Sequence, residues 1–81
     1  GDASRRYLSV HPNPTRDGRV SVTMPLGDAG TLWELYNPAG SRIQHGVTSP
    51  TFELQLPATA GTYVLRVHGG AQTWTRRIVR N

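Results

Sequence analysis

The chain has 81 residues, room for one domain with one modest core, because a domain of this size hides only about 60–65% of the surface its unfolded chain exposes. Hydrophobic residues make up 36% and charged residues 17%, with nine glycines and six prolines, a composition that argues for a turn-rich globular domain and against disorder. The lack of cysteine excludes disulfides, thiolate metal sites and cysteine nucleophiles, and no apolar run approaches the roughly 18 residues of a membrane-spanning helix.

The formal charge is +4 and every basic residue is arginine. This bias reads first as codon composition and second as a capacity to grip phosphate or carboxylate with guanidinium forks. The opening GDASRRYLSV lacks the apolar core of a secretory signal peptide.

Period-two alternation dominates, and it predicts seven strands. Residues 7–11 set Leu8 and Val10 against Tyr7, Ser9 and His11, and residues 19–24 set Val20, Val22 and Met24 against polar partners. Between them lies HPNPTRDG. Each proline pushes its predecessor into an extended conformation and donates nothing to a ladder, so the first strand must end there. Asn13 and Asp17 can accept bonds from nearby amides, and Gly18 can take a left-handed conformation that starts the next strand in a new direction. The plain reading is a rigid connector without chemistry, with a binding loop as the alternative.

Residues 31–36 place Trp33 and Leu35 on one face, and NPAG (37–40) suits a type I turn with Asn37 capping the amides that follow. A short strand at 41–44 is centred on Ile43, and residues 51–56 align Phe52, Leu54 and Leu56. Residues 62–68 turn Tyr63, Leu65 and Val67 inward, and 72–80 complete the count. Gly69 and Gly70 read as a two-residue primed turn with positive φ, pairing His68 with Ala71, Leu65 with Trp74 and Arg66 with Thr73. That register turns Arg76 to the same face as Trp74 and Ile78, which predicts a bulge, or an end of sheet, near 75–77.

Seven short strands with frequent turns predict an all-β fold, an antiparallel β-sandwich of immunoglobulin-like type. Tyr63, with Pro57 and Gly61 before it, stands where the tyrosine corner of that fold would fold its hydroxyl back onto the preceding turn.

Chemistry is harder to find. His11, His45 and His68 lie in separate segments without metal-ligand spacing, so no metal site and no cofactor is expected. Asp2, Asp17, Asp28, Glu34 and Glu53 are scattered singly, no serine occupies a nucleophile elbow, and no glycine-rich loop opens a helix, so the domain is expected not to be an enzyme. Arg66, Trp74, Arg76, Arg77 and Arg80 could form a patch for an anionic sugar or nucleic acid, but 7% aromatic content leaves little for base stacking, and no nucleic-acid partner is expected.

Taken in order, VHPNPTRDGRVSV, WELYNPAGSRI, FELQLPATAGTYVLRV and the terminal TRRIVRN resemble the C-terminal sorting domain, type A, of cargo exported by the type IX secretion system of Bacteroidetes-type bacteria. The likeness runs from about Tyr7 to Asn81. It assigns a family structural motif to Pro12, Asn13, Pro14, Gly18, Gly40, Gly61 and Tyr63, and a terminal secretion signal to Arg76, Arg77, Ile78, Val79 and Arg80. The family commonly carries lysine where this chain has Arg76 and Arg77.

The resemblance implies a non-catalytic domain of residues 7–81 behind a linker and cleavage region at 1–6, following a larger cargo domain. Its implied partners are the type IX translocon and shuttle proteins and a sortase-like peptidase that removes it. The cargo would pass through the periplasm to the cell surface or medium. Docking of the last strand onto a partner's sheet is one expected mode, and open edge strands also invite a homodimer. The alternative is an immunoglobulin-like accessory module for carbohydrate binding or adhesion, which would need an exposed aromatic platform.

Overall fold

The computed structural model describes residues 8–25, 32–70 and 72–81. The linker region at 1–6, Asp28 and Ala71 lie outside the described residues.

Seven strands form two antiparallel sheets, and no helix occurs among the described residues. They are β1 (Ser9–His11), β2 (Arg19–Thr23), β3 (Leu32–Tyr36), β4 (Arg42–Val47), β5 (Thr51–Gln55), β6 (Gly61–His68) and β7 (Thr73–Arg80). The three-stranded sheet has the order β1-β2-β5 and the four-stranded sheet the order β4-β3-β6-β7. The alternating residues meet between the sheets as a β-sandwich. Leu8, Val20, Val22, Met24, Leu54 and Leu56 come from the smaller sheet and its flanks, and Leu35, Tyr63, Leu65, Val67, Trp74 and Ile78 from the larger. Trp33 and Phe52 stack across the sandwich with centroids 5.8 Å apart, and the Gln44 amide donates to the Gln55 carbonyl (2.8 Å), joining strands β4 and β5 of opposite sheets.

The turn chemistry works as its residues dictate. In NPAG the Gly40 N–H donates to the Asn37 carbonyl (2.9 Å), while the Asn37 side-chain oxygen accepts from the amides of Ala39 (3.0 Å) and Ser41 (2.9 Å). Tyr63 is buried and its hydroxyl donates to the Thr59 carbonyl (2.7 Å), so the tyrosine reaches back onto the preceding turn. Gly61 is glycine for two reasons: its φ is +152°, and a Cβ there would lie 2.6 Å from Pro38 Cγ.

Three local expectations are corrected. First, the β6–β7 hairpin pairs His68 with Thr73, Val67 with Trp74, Arg66 with Thr75 and Leu65 with Arg76. The connection is longer than two residues, closed by the Gly69 N–H on the Gln72 carbonyl (2.7 Å), and the positive-φ glycines among the described residues are Gly18, Gly40 and Gly61. Because side chains alternate across a pair, the two-residue register would have opposed the same faces with two residues fewer in the loop, and periodicity alone could not separate the two.

Second, the pairing is unbroken from Gly61–Arg80 to His68–Thr73, with neither a bulge nor an end of the sheet at 75–77. Arg76 does lie on the same face as Trp74 and Ile78, but β7 is an edge strand, so a long side chain can run out to the rim, and its guanidinium donates to the Thr75 carbonyl (3.0 Å). Third, β4 continues through His45, Gly46 and Val47, with the register shift at its start, beside Ile43. Gly46 permits this because the Trp33 indole covers it; a Cβ at Gly46 would meet the ring at 2.9 Å.

Tyr63→Phe keeps the ring in the core but leaves the Thr59 carbonyl without its donor. Chemical denaturation of this variant is expected to show a loss of about 1–2 kcal/mol with an unchanged m-value.

Candidate functional site

The corner between β1 and β2 is built from its own polar groups. His11–Pro12 and Asn13–Pro14 are both cis peptides. Thr15, fully buried, accepts the Gly18 N–H at its hydroxyl (3.1 Å), which in turn donates to the Arg19 carbonyl (3.1 Å). Asp17 accepts the Arg19 N–H (2.9 Å), and this bond is the main cause that holds its carboxyl below the usual range. Gly18 has φ +84° and packs so closely that a Cβ would stand 2.7 Å from the Leu56 carbonyl oxygen; its own carbonyl accepts the Leu56 N–H (2.8 Å). Thr15 escapes a periodicity reading, but Thr-x-x-Gly beside Asp17 is a recognisable side-chain-to-backbone turn.

This corner grips the outer edge of β7. The Asn13 amide donates to the Arg77 carbonyl (2.8 Å) and its side-chain oxygen accepts the Val79 N–H (2.9 Å). The Thr15 N–H donates to the Val79 carbonyl (2.8 Å), the Asn81 N–H donates to the Thr15 carbonyl (2.9 Å), and Thr15 and Arg80 form a parallel bridge. Four bonds thus fasten residues 77–81, more than 60 positions away in sequence, to the PNP corner. Sequence periodicity carries no signal for such a long-range contact.

The five terminal residues divide sharply. Ile78 is fully buried. Arg80 runs along the corner, with Nε on the Pro57 carbonyl (3.3 Å) and a guanidinium nitrogen donating to the carbonyls of Arg16 and Asn81. Arg76 bonds its own strand. Only Arg77 and Val79 project from the outer face of the four-stranded sheet.

On that face the register places Arg42, Tyr36, Val64 and Arg77 in one row, with His45, Glu34, Arg66 and Thr75 in the next. Arg66 lies over the Tyr36 ring, 5.8 Å from its centroid. Glu34 accepts from His68 Nε2 (2.9 Å) and from Arg42 (3.1 Å); the histidine bond first and the arginine bond second hold its carboxyl below the usual value of 4.5. His11 is exposed on β1 of the other sheet, and His45 is exposed on β4, opposite Glu34 in register. Pro12 and Pro14 are exposed at the corner tip, Gly40 ends the NPAG turn, and Gly61 and Tyr63 open β6. Trp74 is buried and Trp33 is stacked on Phe52, so neither indole forms an exposed platform.

A scan against protein-family models and a search of curated proteins return no match to this chain.

Two outcomes are expected. Asn13→Ala removes both side-chain bonds to β7, costing about 1–3 kcal/mol, and hydrogen exchange at the Val79 amide accelerates more than at amides of β2. Glu34, whose folded pKa is lowered, contributes stability that is complete above its unfolded pKa of 4.5 and is lost as pH falls through the folded value. The melting-temperature difference between the wild type and Glu34→Gln is therefore expected to shrink on going from about pH 6 to about pH 3.

Proposed function

We propose that this chain is a non-catalytic C-terminal sorting domain, which directs a larger cargo protein across the outer membrane through the type IX secretion system and is then removed by a sortase-like peptidase. The observation that carries this reading is the contact between the two sequence motifs that suggested it. Asn13 of the PNP corner is bonded on both sides of its amide to the terminal segment, at Arg77 and Val79. A corner and a tail that recur together in a family gain a physical reason when one fastens the other.

The strand order supports an immunoglobulin-like sandwich. The β2–β5 pair and the β3-β6-β7 succession correspond to the B–E and C-F-G neighbours of that fold, and Tyr63 makes its corner bond at the start of the strand equivalent to F. The ionisable groups that meet, Glu34 with Arg42 and His68, bond one another on an open sheet face, an arrangement suited to shape rather than to proton transfer. Neither tryptophan offers the accessory-module reading an exposed platform, because both indoles are engaged in packing.

Fusion of residues 1–81 behind a periplasmic fluorescent reporter, in a bacterium with a working type IX system, is expected to release the reporter to the cell surface or medium. Retention of a reporter whose appended domain is folded would refute the reading. Truncation of the tail is a poor substitute, since removing Ile78 empties a core position worth on the order of 1.5–3 kcal/mol and confounds unfolding with lost recognition.

A further inference from the structure

We propose that the outer face of the four-stranded sheet, around Tyr36, Val64, Arg66 and Arg77, is a docking surface for an extended acidic protein segment that carries carboxylates at alternate positions followed by an apolar side chain. The inference rests on the sorting reading for the nature of the partner, a protein of the export machinery; the surface itself is argued from geometry.

The first support is charge. Arg66 and Arg77 are exposed on this face, and neither has a carboxylate partner among the described residues. The one acid of the face among the described residues, Glu34, lies opposite Arg66 in register but gives its bonds to Arg42 and His68. Two guanidinium forks therefore face solvent over a common surface, in a protein of formal charge +4.

The second support is spacing. Val64 pairs with Arg77 and Arg66 with Thr75, so Arg66 and Arg77 are diagonal neighbours, a relation that in an antiparallel pair spans about 7–8 Å, somewhat less between Cβ atoms. An extended chain rises about 3.3 Å per residue and presents alternate side chains on one face, so carboxylates two residues apart recur about 6.6 Å apart. Acid-x-acid in a strand matches the pair of arginines, and each can be held bidentately.

The third support is an apolar floor beside the charges. Tyr36, Pro38, Thr62, Val64 and Arg66 line a shallow cleft of about 360 Å³, bounded by the NPAG turn. An aromatic or aliphatic side chain following the acid held by Arg66 reaches it, because Arg66 itself lines the cleft. Val79, 37% exposed, extends the apolar strip on the same side.

The alternative route, pairing of a partner strand with the tail itself, is blocked over residues 77–81, because Asn13 and Thr15 occupy that edge. The tail residues that remain legible to a partner are side chains on the face, Arg77 and Val79.

The test has two arms. In the first, the isotope-labelled 81-residue protein is titrated at low salt with the acetylated peptide amide Asp-Ser-Asp-Ser-Phe, the Asn-Ser-Asn-Ser-Phe control and a phosphorylated oligosaccharide, following amide resonances. The acidic peptide is expected to move Tyr36, Val64, Arg66 and Arg77 with a Kd of about 1 mM. Binding is expected to weaken about tenfold for the neutral control, and also in an Arg66→Gln, Arg77→Gln double variant of unchanged melting temperature. Equal shifts by the neutral peptide, no shift at these residues, or a response to the phosphorylated sugar alone would overturn the proposal. In the second arm the double variant is fused to the exported reporter. Export of the wild type with retention of the variant supports the surface; export of both overturns it and leaves the sorting reading standing. If neither is exported, the sorting reading falls and the titration decides the surface by itself.

Discussion

The fold turns on one carboxamide. β7 lies at the edge of the four-stranded sheet, and an edge strand presents unpaired N–H and C=O groups that another chain could take up. Asn13 supplies a donor to the Arg77 carbonyl and an acceptor to the Val79 N–H, which is what a neighbouring peptide group would supply. Aspartate has no donor to give, and glutamine would carry its amide one methylene further out. The prolines on either side contribute rigidity, fixing φ at both so that the amide is aimed before it bonds. Thr15 then takes over where the side chain stops, exchanging backbone bonds with Val79 and Asn81.

That constraint decides what the terminal residues can do. A strand held on both edges has its backbone consumed, so only side chains remain to carry information. Ile78 spends its side chain in the core, Arg80 spends its guanidinium on carbonyls of the corner, the β5–β6 connection and Asn81, and Arg76 bonds the strand's own backbone. A basic-then-apolar ending that looks homogeneous as sequence is therefore divided by the pleat into structural residues and two that face outward. Arginine at position 80 has a consequence here. A guanidinium can satisfy several carbonyls at once from one position, as Arg80 does, whereas an ammonium acts as a point charge.

Much of this was legible in the sequence, for physical reasons that also mark the boundary. The strands and their buried faces follow from period-two alternation, because a half-buried strand must put Val20 and Val22, or Tyr63, Leu65 and Val67, on one side. The NPAG turn and the Tyr63 hydroxyl bond were readable because their partners lie within four residues. The Gly69–Gly70 register was misread because a hairpin slipped by two keeps every side chain on its proper face, so alternation is blind to it. The expected bulge followed from treating an inward arginine as forbidden, when an edge position lets it escape to the rim. The grip of Asn13 on β7 was unreadable, since a contact across 64 and 66 positions leaves no local pattern.

The same long-range contact gives a reason for a signal to be a folded domain and not a linear peptide. The outer-face surface draws Tyr36 from β3, Val64 and Arg66 from β6, and Arg77 from β7, so its parts come together only when three strands are paired in register. The register of β7 depends in turn on the β6 ladder along one edge and the corner along the other, with Ile78 seated in the core. An unfolded chain carries the same residues without the spacing that two guanidinium groups and a cleft provide. On the sorting reading, a partner that recognises this surface would thereby test the integrity of the domain before moving the cargo attached to it. On the same reading, the burial of the tail's other residues would serve recognition too, because it couples the exposed pair to the fold.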